Sequence, residues 1–152
     1  MARWRRAVSC HPRGAMRPKE ESISILAMKP IHVLIITQES EFADVLKDHL
    51  NSWGFAANSA EGEEEAMEIL GHTYYGVVVL GIDGTDQKWL QTLDRIRQQQ
   101  PTCKVILLAG KGAAMTALAG IRHGAFDVIS HPIELGVLCE AIRRAHRHTR
   151  PA

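Results

Sequence analysis

The chain has 152 residues, 45% of them hydrophobic, enough for one ordinary core and no reason to expect a second. Its net charge of +1 is unevenly laid out: seven basic and two acidic groups give residues 1–29 a charge of +5 and leave −4 on the remainder, a sign that argues against nucleic-acid binding by the folded part. Cys10, Cys103 and Cys139 show no paired spacing, so they read as free thiols in a reducing cytosol and not as a disulfide framework.

Residues 1–29 read as a basic extension, disordered by composition. Arg3, Arg5 and Arg6 are not followed by the apolar stretch of a signal peptide, and Pro12, Gly14 and Pro18 interrupt the region. Neither export nor membrane insertion is expected. Trp4 among the arginines leaves a contact with nucleic acid or anionic lipid open, and Met28 is a second candidate start.

From Ile31 the pattern becomes regular. Ile31–Ile36 is a short apolar run suited to a strand buried on both faces. In the helix that follows, Phe42, Val45, Leu46, His49, Leu50 and Trp53 share one face, and Gly54 ends it. Phe55–Ser59 is a weaker second strand. Ala60–Leu70 makes a second helix with Ala66, Met67, Ile69 and Leu70 inward; Glu63, Glu64 and Glu65 form a solvated first turn favoured by the helix dipole. Gly76–Leu80 is the third strand, and a helix from about Asp86 to Gln99 turns Trp89 or Leu90, Leu93 and Ile96 inward. Pro101 leads into Cys103–Leu108, the fourth strand. Ala113–Arg122 is a small-residue helix whose Met115 and Leu118 are expected against the sheet. Phe126–Ile129 is the fifth strand, and Ile133–His148 the last helix, with Leu138, Ala141, Ile142 and Ala145 inward. Strands alternating with helices require right-handed parallel crossovers. Residues 30–148 are therefore expected to form one α/β domain, a flavodoxin-like doubly wound sheet of five parallel strands in the order 2-1-3-4-5 with helices on both faces.

In that strand order, ligands sit outside the carboxyl ends of strands one, three and four. The segments Val33 to Glu39, Gly54-Phe55 through Ala60 to Glu64, Val77 to Leu80, Val105 to Gly112, His123 to Asp127 and His131-Pro132 together resemble the bacterial response-regulator receiver domain. The resemblance implies a phosphorylation site that these residues do not supply. The family's two Mg²⁺-holding acids after strand one match Thr37 and Gln38, poor ligands for a hard cation. Glu39 is a residual acid. The phosphoacceptor aspartate at the end of strand three matches Gly81, and the hydroxyl residue after strand four matches Ala109. The lysine before proline matches His131, and the switch aromatic of strand five matches Val128. What remains is the framework, which implies a degenerate pseudo-receiver. Such a module is cytoplasmic and non-enzymatic, with no catalytic residue, metal or cofactor, and acts in two-component signalling through phosphorylation-independent protein–protein interaction.

Two other functions stay open: an unconventional response regulator still phosphorylated in a phosphorelay, and a small-ligand binder using the emptied pocket. Asp83, the other residual acid, lies two positions past Gly81, about 6 Å along an extended chain, and Asp83-Gly84 suits a turn. His131 invites a metal or pH-switch role, but no second ligand lies near it in sequence. Gly110-Lys111-Gly112-Ala113 matches no phosphate-loop pattern, although a helix start holds an anion loosely. Arg143, Arg144, Arg147 and Arg150, with His146 and His148, suit a helix C-terminus. The helix from Ala113 to Gly120 is nearly free of charge. Receivers use it, with the fifth strand and last helix, to meet a protein partner or a second copy. Ala113, Ala114 and Ala117 are therefore candidate interface residues.

Overall fold

In the computed structural model, which describes residues 30–83 and 87–149, five parallel strands lie in the order β2-β1-β3-β4-β5. They are β1 (His32–Ile36), β2 (Ala56–Ala60), β3 (Val77–Ile82), β4 (Lys104–Ala109) and β5 (Asp127–Ser130). The crossovers are α1 (Ser40–Ser52), α2 (Glu63–His72), α3 (Lys88–Gln99) and α4 (Ala114–Arg122), and α5 (Leu135–Thr149) closes the domain. This is the flavodoxin-like arrangement the alternation predicts. The basic extension of residues 1–29, with Cys10, lies outside the described residues, as do Gly84, Asp86 and Arg150.

Alternate side chains of the strands feed two cores. Val33, Ile35, Val77, Val79 and Ile106 pack under α1 and α5. Leu34, Ile36, Val78, Val105 and Leu107 pack under α2, α3 and α4. Burial on both faces is what a near-continuous apolar run in a parallel strand encodes. No helix among the described residues is long and apolar enough to cross a membrane.

Among the boundaries and orientations that differ from expectation, three bear on packing around the strand ends. Ala60 ends β2 instead of starting α2, because it pairs with Ile36 and its carbonyl accepts from the Thr37 N–H at 3.2 Å. β3 runs on past Leu80, since Gly81 pairs with Leu108 and Ile82 with Ala109. The third difference is in α4. Met115 and Leu118 do not face the sheet; they are 81% and 53% exposed. Ala113, Ala117 and Gly120 face it instead. A side chain at Gly120 would run into Leu107 Cδ1 and stand 3.0 Å from Trp89 Cζ3, so bulky residues are forced outward. Ala113 and Ala117 are therefore core and not interface residues; Ala114 remains exposed.

Polar clamps join the layers. The Gln100 side chain accepts the Tyr75 N–H at 3.1 Å and donates to the Leu70 and Thr73 carbonyls at 2.8 and 2.7 Å. It thereby ties the C-terminal end of α2, whose last carbonyls have no helical partner, to the approach to β3. Glu63 is not simply solvated: it accepts from the Thr92 hydroxyl at 2.6 Å and pairs with Arg95, which also reaches Glu64 at 3.3 Å. The Thr92 hydrogen bond, with Arg95 beside it and burial opposing, holds the Glu63 carboxyl below its ordinary range. On the open edge of β2, Asn51 accepts from the Ala57 N–H at 2.9 Å and donates to the Ala57 carbonyl at 3.3 Å.

Cys103 and Cys139 are free and buried, one in each core. Burial pushes their thiols up from 9.0, to about 12 and about 11, with Lys104 and Arg143 respectively opposing. Raised folded-state values mean that the folded chain keeps protons the unfolded chain sheds. Their contribution is therefore intact below about pH 9 and is lost as pH climbs toward about 11, by about 1.4 kcal/mol per pH unit for each thiol. Urea midpoints measured at about pH 8 and about pH 10 should fall more for the parent than for a Cys103→Ala/Cys139→Ala variant. Equal falls would remove the thiols as the cause.

Candidate functional site

The carboxyl ends of β1, β3 and β4 open into one crevice of about 860 Å³, at the position where a doubly wound sheet reverses its winding. Its floor and walls bring together Thr37, Gln38, Gly81, Asp83 and His131 from among the residues singled out in the sequence. Ala109 is not among them. It closes β4, pairs with Ile82 and Ser130, and is fully buried in the core beneath α4. Val128, on β5, packs against the same core, and its N–H donates to the Asp127 carboxylate at 2.8 Å.

The centre of the crevice is shaped by Gly81 and Thr37. A Cβ placed on Gly81 would stand 3.2 Å from both Cβ and Oγ1 of Thr37, a tight contact. The threonine side chain thus fills the ground beside the end of β3. Its Oγ1 accepts the Glu39 N–H at 3.2 Å, a local turn that gives α1 a defined entry although no side chain caps the helix. Asp83, the first residue past β3, lines the crevice wall. Its Oδ1 lies 3.4 Å from where a Gly110 Cβ would be, and Gly110 N–H donates to the Ile82 carbonyl at 2.8 Å. His131 is held by its own N–H, which donates to the Ala109 carbonyl at 2.8 Å.

Glu39 and Asp83 line the crevice on the β1 and β3 side; Lys88, Lys111 and His131 line it from α3 and from the loops after β4 and β5. Among the described residues, no three His, Cys, Asp or Glu side chains stand together to hold a metal ion. The lining includes residues that the sequence does not mark as site residues, Trp89 and Lys88 among them. Trp89, in the sequence an alternative to Leu90 for the inward face, lines the crevice while its ring edge packs on Gly120 of α4. Lys88, at the first turn of α3, carried no periodic signal.

A parallel 2-1-3-4-5 sheet with a crevice at its switch point defines a flavodoxin-like doubly wound fold. The model of the response regulator receiver domain matches residues 33–143, and the chain belongs to that family. Among curated proteins, it is similar to a putative NtrX-like response regulator of Rickettsia bellii, 30% identical over 120 residues, covering 78% of this chain and 25% of that protein. It is also similar to the transcriptional regulatory protein GlrR of Escherichia coli K12, 25% identical over 127 residues, covering 84% of this chain and 29% of that one. The chain thus spans between a quarter and a third of the length of these relatives. Among solved structures, FixJ-N superposes with a TM-score of 0.73 at 26% identity, covering 82% of this chain and 100% of that one. The receiver domain of NtrX from Brucella abortus gives 0.69 at 27%, covering 76% and 98%.

Proposed function

We propose that residues 30–148 act as a pseudo-receiver, a cytoplasmic, non-enzymatic signalling module that works by protein–protein interaction without phosphorylation. One observation carries this reading: the strand end where the family resemblance puts an acceptor carboxylate holds Gly81, with the Thr37 side chain packed beside it. A phosphoryl group needs an acceptor oxygen and a cation to neutralise it. Thr37 and Gln38 offer a hydroxyl and an amide, and the carboxylates that line the crevice are Glu39, Asp83 and Glu63, the last paired with Arg95. The partner is a protein, met through the outer face of α4 with β5 and α5, either as a second copy or as a downstream component. Met115, Leu118 and Ile121 form an exposed apolar stripe along α4 there, and such stripes mark interaction surfaces.

Incubating the full chain with acetyl phosphate and Mg²⁺ and weighing the intact protein tests the reading directly. Unchanged mass is the expected outcome. A stoichiometric phosphate adduct would overturn it, and mapping that adduct to Asp83 or a histidine would establish the unconventional regulator instead.

A further inference from the structure

The crevice brings together charges of opposite sign that the fold leaves unspent. Glu39, Asp83 and Lys111 all line it, and none of the three makes an ion pair among the described residues. Their placement follows the strand order. Glu39 leaves β1 and Asp83 leaves β3, while Lys111 follows β4 and His131 follows β5. Glu39 and Asp83 therefore stand at the β1 and β3 ends and Lys111 at the β4 end, with Glu63 and Lys88 also in the lining. β1 and β4 stand two strands apart, roughly 10 Å at the usual spacing. A molecule bearing an ammonium and a carboxylate on one carbon, with a charge-assisted hydrogen bond of about 3 Å at each end, spans a similar distance.

A second, independent observation concerns Trp89. Its side chain is 7% exposed, lines the same crevice, and has an indole N–H that meets no acceptor among the described residues. The Cζ3 and Cη2 edge of the ring lies against Gly120 of α4, so the N–H, on the opposite edge, turns away from that helix. A buried donor without an acceptor is costly, and an unexplained one points to a missing partner. A carboxylate in the crevice would supply the acceptor.

The lining also discriminates between ligand classes. A bare anion would meet Glu39 and Asp83, and a bare cation would meet Lys88 and Lys111. A neutral molecule carrying both charges satisfies both sets, since complementarity selects by sign as well as by shape. We propose that the crevice binds a small zwitterion, an α-amino acid or a compound of that type, with its ammonium toward Glu39 and Asp83 and its carboxylate toward Lys111 and the Trp89 N–H. The proposal rests on the crevice being free of phosphoryl chemistry, yet its test fails separately from the mass measurement.

The full chain is titrated calorimetrically with each standard amino acid, and with acetate, inorganic phosphate and methylammonium as single-charge probes. At least one amino acid should give a saturable isotherm that none of the single-charge probes matches. Its affinity should fall about tenfold or more in Glu39→Gln, in Lys111→Met and in Trp89→Phe, which replaces the indole with a smaller aromatic ring that has no donor, and should be unchanged in Glu140→Gln on the outside of α5. The two charge variants alter exposed side chains, so they test the site without threatening the core. Absence of any amino-acid isotherm, acetate or phosphate binding as tightly as the best amino acid, or undiminished affinity in both charge variants would each overturn the proposal.

Discussion

Replacing Gln100 with methionine is expected to lower the free energy of unfolding by about 2–5 kcal/mol, because it leaves buried backbone groups without partners. Methionine keeps the length and most of the volume of glutamine, so the loss isolates the amide. Three hydrogen bonds disappear at once: those to the Tyr75 N–H and to the Leu70 and Thr73 carbonyls. Tyr75 and Leu70 are buried, 3% exposed each, so water does not readily replace the lost partner at either. A domain of this kind has about 5–15 kcal/mol in hand, which makes the side chain a large fraction of the total. Urea unfolding should show a lower midpoint with an unchanged slope. A shift below about 1 kcal/mol would mean that the amide contributes no more than a single ordinary hydrogen bond.

The second large effect concerns a residue with no side chain. Gly120→Val is expected to cost about 3 kcal/mol, the upper end of what overpacking a core brings, since its Cβ would collide with Leu107 Cδ1 and crowd Trp89. The better helix propensity of a non-glycine residue offsets only about 0.5 kcal/mol of that. Met115→Gln and Leu118→Gln, on the same helix and largely exposed, should each stay within about 0.5 kcal/mol of the parent. The order is the reverse of what residue size alone would suggest, and thermal denaturation of the three variants checks it. If Gly120→Val were neutral, α4 would have to ride further off the sheet than its contacts with Leu107 and Trp89 imply.

The fold was legible because its signals are local and repeated. Val77 to Leu80 and Val105 to Leu108 carry continuous apolar runs, and α1 and α3 carry their buried residues at helical spacing. From these follow a parallel sheet with right-handed crossovers and, as the doubly wound solution for five strands, the order 2-1-3-4-5. The phase of α4 did not follow, since in Ala113 to Gly120 the choice between burying Met115 or Ala117 depends on how far Leu107 and Trp89 project from other elements. Volume supplied by distant residues leaves no period in the helix itself. Gln100 was equally silent: it ends a run of three glutamines at a helix terminus, where a solvated side chain is the ordinary outcome. At the candidate site, the rule placing ligands at strand ends located Thr37, Gln38, Gly81 and His131, and the crevice gathers them. Ala109, matched to the end of the fourth strand, has its side chain in the core. Asp83 lines the crevice directly past the end of β3, because β3 runs two residues beyond the apolar run that marked it in the sequence.

Asn51 has a consequence for how copies of this chain meet. An open parallel sheet normally ends in a row of amides and carbonyls that any extended peptide can zip onto. Here the carboxamide of Asn51 engages both backbone groups of Ala57, occupying the β2 margin like a one-residue strand. A five-residue margin so obstructed is a poor seed for edge-to-edge polymerisation.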